Sequence, residues 1–218
     1  MSASRHLART SVAFALATLV TACGIAGNGV PASEVRPVEG FNALKLDGPF
    51  TAEVTVDAAQ GVPRLEVGGD ANLVPLIRTE VRNGTLDIGM HDAVRPELPL
   101  KISIHLSDLA TLTANGASKI DLKGLANSAF AVKLNGAADL VGTGHTGALT
   151  VDLSGAGHLD LKGLSADAVT AHVSGAGSVE VAPVKTLDVH ISGAASLRYS
   201  GAPAVTQDIS GVGSVKPL

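Results

Sequence analysis

One short phrase returns six times between Thr113 and Leu218, and few folds can accommodate it. The copies are Thr113-Ala-Asn-Gly-Ala-Ser, Lys133-Leu-Asn-Gly-Ala-Ala, Asp152-Leu-Ser-Gly-Ala-Gly, His172-Val-Ser-Gly-Ala-Gly, His190-Ile-Ser-Gly-Ala-Ala and Asp208-Ile-Ser-Gly-Val-Gly. Their glycines, Gly116, Gly136, Gly155, Gly175, Gly193 and Gly211, lie 18 to 20 residues apart. A unit of that length cannot bury its own apolar face and must stack on its neighbours, as the coils of a solenoid do.

Aligned on the glycine, the copies become columns. Two residues before it stand Ala114, Leu134, Leu153, Val173, Ile191 and Ile209. Four after it stand Ile120, Leu140, Leu159, Val179, Leu197 and Val215. Polar columns fall between, such as Asp121, Val141, Asp160, Glu180, Arg198 and Lys216. Apolar and polar residues therefore alternate with period two, the pattern of strands with one buried face. Each copy predicts a strand, a Gly-Ala bend, a second strand and a turn at Gly124, Gly144, Gly163 or Gly201. The repeat glycine implies positive φ or close backbone approach. The Asn/Ser before it is expected to hydrogen-bond the bend locally, and the Ala after it to fill a narrow interior corner. The fold expected is an all-β, single-domain parallel β-helix of about six coils, with a less regular β segment before it.

The first 22 residues carry Arg5 and Arg9 and no acids, so they read as a secretory signal peptide, with Val12 to Val20 as its short apolar core. Val20, Thr21 and Ala22 then precede Cys23 in the manner of a lipobox, and Cys23 is the one cysteine of the chain. Cys23 is the expected lipidation site, with acyl chains anchoring the protein in a membrane. Gly24 in the next position favours the outer membrane over inner-membrane retention. Residues 23–36, rich in Gly, Ala and Pro, are expected to form a flexible tether, and 37–218 the domain, with the repeats at 113–218. Within 37–106, Asn83-Gly84 between alternating runs predicts a tight hairpin turn, and 70–77 a loop or short helical turn. No break separates this part from the repeats, so it should cap the solenoid.

Formal net charge is −4, and −4 − 2 = −6 without Arg5 and Arg9. That balance excludes a nucleic-acid binder, which needs a basic footprint. Aromatic residues are 2% with no Trp, which disfavours stacking platforms for bases or sugars.

The series Val38-Glu-Gly-Phe-Asn, Gly48-Pro-Phe-Thr-Ala-Glu-Val-Thr-Val, Glu80-Val-Arg-Asn-Gly-Thr-Leu-Asp-Ile and the Asn/Ser-Gly-Ala-Gly copies resembles the bacterial family described as putative autotransporter adhesin head, GIN-type domain. The resemblance spans roughly 36 to 218. It implies a right-handed β-helix in a secreted or lipid-anchored protein, and it brings no catalytic residues with it. The chain shows no segment resembling an autotransporter's membrane barrel, so the lipid is the expected means of attachment.

Two polar columns invite sharper readings. His172 and His190 occupy equivalent places in adjacent coils, flanked by Asp152 and Asp208 with Lys133 before them, and imidazole with carboxylate can hold Zn²⁺. Asp160 and Glu180 are neighbours in another column and could be a glycosidase pair. Both read more simply as solvated ladders, and neither column contains a compact catalytic motif. The serines of the repeat lie in no nucleophile elbow. The sequence thus assigns no catalytic residue, metal or cofactor. It points to a non-enzymatic envelope lipoprotein that presents a repetitive surface for adhesion or protein binding, periplasmic or exposed to the outside. A glycan-acting β-helix enzyme and a structural periplasmic lipoprotein stand as alternatives.

Overall fold

The computed structural model describes residues 24–218. The signal peptide, Val20, Thr21, Ala22 and the lipidation site Cys23 lie outside the described residues. The chain begins with β1 (Ile25–Ala26) and β2 (Pro31–Arg36), then β3 (Ala43–Asp47), β4 (Phe50–Val56) and β5 (Arg64–Asp70). One 3₁₀ turn, Val74–Leu76, precedes β6 (Ile77–Arg82) and β7 (Thr85–Met90). β8 (Val94–Arg95), β9 (Leu100–Leu106) and β10 (Thr111–Asn115) lead into the repeats. There β11 (Lys119–Leu134), β12 (Asp139–Leu153), β13 (His158–Val173) and β14 (Ser178–Ile191) each run through most of a coil. Three short strands follow, β15 (Ser196–Tyr199), β16 (Ala204–Ile209) and β17 (Ser214–Pro217).

Strands in successive coils pair in parallel, which builds two long walls. The first runs β6, β7, β3, β10, the second halves of β11 to β14, then β16. The second runs β2, β5, β9, β4, the first halves of β11 to β14, then β15 and β17. The register slips between Leu122 and Leu125, between Val141 and Thr143, and between Leu161 and Ser165. These slips are the corners expected at Gly124, Gly144 and Gly163, made inside continuous strands. The six bends enclose about five turns, a little short of the six coils expected, because the last copy contributes only its bend and β17.

The apolar columns line the space between the walls. Leu134, Leu153, Val173 and Ile191 are buried, as are Leu140, Leu159, Val179 and Leu197, and Phe130 stacks in register on Leu149, Val169 and Leu187. At the N-terminal end the direction reverses. β6 pairs antiparallel with β7, and β2 with β5, so both walls finish in an antiparallel edge. The hairpin turn is the one the dipeptide predicts, with Asn83 at φ 50° and Gly84 at φ 74°, both left-handed. At the other end β17 finishes in Pro217, which has no N–H to offer a further strand.

Two local expectations are corrected, the first and third below, and the two-way reading of the repeat glycine, the second, resolves mainly to close approach. First, residues 24–36 are not a slack tether. β1 pairs with β8 and β2 with β5, while Arg36 is bound to the carbonyls of Ile77 and Val74. Second, only Gly116 among the six repeat glycines has positive φ; the others are required by proximity. A Cβ on Gly136, Gly155, Gly175, Gly193 or Gly211 would fall on the carbonyl of the glycine one coil below. That carbonyl also accepts the N–H of the next alanine, as in Ala156 to Gly136 and Ala176 to Gly155 at 3.0 and 3.1 Å. The bends are thus hydrogen-bonded to each other as closely as the walls. Third, the alanines 117, 137, 156, 176 and 194 are exposed, and the interior place belongs to the next residue, such as Ser118, Ala138 and Ala195. The chain re-enters the core one position later than the alternation suggests.

Asp70 explains why the N-terminal segment is ordered. It is fully buried, and its carboxylate accepts the N–H groups of Gly29 at 2.8 Å, Glu97 at 3.0 Å and Leu98 at 3.1 Å. Asn72 adds a bond to the Ala26 carbonyl at 2.8 Å. Burial alone would push the Asp70 carboxyl up, but the N–H groups of Leu98, Gly29 and Glu97 outweigh it and hold the group below the usual carboxylate range. A carboxyl lowered on folding stabilises above its unfolded value and loses that contribution as pH falls through the folded one. Asp70→Asn is therefore expected to lower Tm by on the order of 5 °C at pH 7. The gap from wild type should begin to close below about pH 4, where the unfolded carboxyl protonates, and close fully only once the pH has fallen through the lower folded value. Circular-dichroism melts at pH 7 and pH 3 check this; a gap that widens in acid would refute it.

Candidate binding surfaces on the two walls

Because register is kept from coil to coil, outward side chains form ladders at the strand spacing of about 4.8 Å. On the first wall one ladder reads Glu80, Asp87, Lys45, Thr113, Lys133, Asp152, His172, His190, Asp208. Its first half is ion-paired: Asp87 lies 3.1 Å from Lys45 and 2.9 Å from Arg78, and Lys133 is 3.7 Å from Asp152. Its second half contains the predicted histidine pair, with rings stacked 5.1 Å apart. Among the described residues, no three His, Cys, Asp or Glu side chains stand as a preformed metal cluster.

On the second wall Asp160 and Glu180 are register partners, as the columns require. Lys162 sits between them, 3.1 Å from Asp160 and in contact with Glu180, and Arg198 is 3.6 Å from Glu180. Partial burial would push the Asp160 carboxyl up, but the Lys162 ammonium and N–H outweigh it and hold it below the ordinary value. A general acid for glycoside cleavage needs the opposite shift. The pair behaves as a neutralised ladder. The first three members of the Asn/Ser column bond to one another across coils: Asn135 donates to Asn115 at 3.0 Å, and Ser154 to Asn135 at 2.6 Å, whereas Ser210 at the far end donates to the Ile191 carbonyl.

Sequence reasoning missed a trough of about 620 Å³ on the outer face of the second wall, between β2, β5 and β9. Gly68 is its floor, with Ser33, Glu66, Lys101 and Ser103 around it. The signal was the Gly68-Gly69 pair inside a strand run. A smaller hollow of about 240 Å³ lies over His172, His190, Asp208 and the serines 174, 192 and 210.

The fold places the matching motifs in one continuous solenoid, and the profile of the family described as "Putative auto-transporter adhesin, head GIN domain" matches residues 40–203. The chain belongs to this family. Among solved structures, a putative adhesin from Bacteroides fragilis NCTC 9343 superposes with TM-score 0.71 at 21% identity, covering 89% of this chain and 100% of that one. A putative lipid binding protein from Parabacteroides distasonis ATCC 8503 gives 0.54 at 19%, covering 90% and 100%. A putative adhesin from Parabacteroides merdae ATCC 43184 gives 0.52 at 22%, covering 89% and 99%. At these identities the likeness is one of fold. No curated protein matches the chain. The GIN-domain solenoid described here therefore shares its architecture with adhesin-type proteins, and its own surface chemistry must supply the rest.

Proposed function

We propose that this GIN-domain protein is a non-enzymatic lipoprotein of the cell envelope whose two walls present a fixed array of side chains to a protein or cell-surface ligand. The observation that carries this reading is the pair of unbroken outward ladders, on a chain of the adhesin-head family. Such ladders hold many weak contacts at one spacing, which suits adhesion by multiplicity and not the enclosed geometry of catalysis. The lipobox Val20, Thr21, Ala22 with Cys23 supplies the anchor, and Gly24 after it supports the outer membrane. Because β1 and β2 are built into the domain, the head would stand directly on that anchor with no long linker.

The test is protease accessibility on intact cells, beside Cys23→Ala. Wild-type protein is expected to be digested without lysis, and the variant to leave the membrane fraction. Protection until lysis would place the walls in the periplasm and remove the adhesive reading. A Cys23→Ala variant that stays membrane-bound would remove the anchor.

A further inference from the structure

In the first part of this first-wall ladder the carboxylates are paired with lysine or arginine, as Asp87 is with Lys45 and Arg78. Past Lys133 the ladder holds no further lysine or arginine. His172 and His190 are register partners with rings 5.1 Å apart and inclined by only 17°. Three carboxylates surround them. Asp208 lies 3.9 Å from His190 Nδ1, Asp188 lies 3.5 Å from His190 Nε2, and Asp152 is the register partner of His172. Asp188 Oδ1 is buried and accepts no hydrogen bond. Its own register partners, Thr170 and Thr206, carry no charge. The hollow of about 240 Å³ opens over His172, His190 and Asp208.

We propose that His172 and His190 form a binding site for a divalent transition-metal cation of the zinc type, with Asp208 as the third protein ligand and Asp188 as the positioning residue behind His190. Two imidazoles and a carboxylate are the donor set that zinc takes, leaving a fourth place for water or a partner's side chain. The two nitrogens of His190 have separate roles. Nε2 faces Asp188, which favours the proton there, and so the Nδ1 lone pair is left facing Asp208 and the hollow. A carboxylate behind a ligating imidazole is the usual outer partner in such sites. At 3.5 Å the Asp188 contact is just too long for a good hydrogen bond, which is why its oxygen is orphaned. Zinc–nitrogen bonds of about 2.0–2.1 Å need the stacked rings to tilt toward each other. Both side chains are on the solvent face and can do so without disturbing the core. The excess of carboxylate over Lys and Arg at this end draws cations in.

The probe is Zn²⁺ alone, titrated calorimetrically into the untagged full-length chain. Saturable uptake of one ion per chain is expected, with Kd near the micromolar range, roughly 1–10 μM. His172→Ala and His190→Ala should each weaken it by at least about tenfold, and Asp188→Asn by about tenfold through misoriented His190. His145→Ala, in a different ladder and hydrogen-bonded to Ser165, should bind as wild type. Far-UV circular dichroism of each variant separates loss of the site from loss of fold. The proposal is overturned by absence of saturable binding up to roughly 1 mM, by folded His172→Ala and His190→Ala variants that titrate like wild type, or by equal loss in His145→Ala.

Discussion

Gly155→Ala, a change of one methyl group, is expected to destabilise the protein by more than about 4 kcal/mol and to cut its soluble yield sharply. An added Cβ would collide with the carbonyl of Gly136 and lie 2.7 Å from its N and C atoms. These are backbone atoms, with Gly116 stacked below Gly136 and Gly175 stacked above Gly155, so no side chain can swing away. Relief would require opening the coils at the bend and breaking the bond from Ala156 N–H to Gly136. Gly61 has nothing within 4 Å of its would-be Cβ. Gly61→Ala should therefore stay within about 0.5 kcal/mol of wild type. Thermal unfolding of the two variants side by side checks the contrast. A Gly155→Ala protein that melts within a degree or two of wild type would mean that the stack of bends yields far more easily than its spacing implies.

The second large effect is expected from Phe130→Ala, at about 3–5 kcal/mol. Phe130 is buried at 2% exposure and is the largest member of an inward column that continues as Leu149, Val169 and Leu187. The walls on either side are hydrogen-bonded sheets and cannot collapse around the void. The same column ends at Val205, which is 39% exposed, and Val205→Ala should cost about 0.5 kcal/mol or less. In a solenoid, stability is a sum over coils and the interfaces between them. A cavity in the middle should therefore also make urea unfolding less cooperative, splitting or broadening the transition, whereas the terminal change leaves its slope alone. Equal effects at both positions would contradict this layered description.

What could be read in the sequence was whatever the repeat expresses. A conserved offset from Gly116 to Gly211 makes the columns visible, and columns are register, so the adjacency of His172 to His190 and of Asp160 to Glu180 followed directly. The hairpin at Asn83-Gly84 was equally legible, because two successive left-handed residues have few other uses. The order in residues 24–36 was hidden for a physical reason. Their composition is that of a linker, and what orders them comes from far along the chain: the Asp70 carboxylate, and strands β5 and β8. The exposed alanines were misplaced because period-two alternation says nothing about where a chain turns inward after a bend. Asp188 escaped notice because its column contains threonines elsewhere, so the repeat gives no hint that a carboxylate there meets His190.

The strands at the start of the chain also decide how the molecule would carry a load. A pull applied at Gly24 does not first straighten a slack leader. It meets the bonds from Ile25 to Ala93 and from Gly27 to Arg95, and then the six residue pairs that join β2 to β5. Thirteen residues that could otherwise extend by about 45 Å are held in place, so tension would reach the walls almost at once. Their hydrogen bonds run along the stack from coil to coil, and a force along that axis would test the ladders themselves.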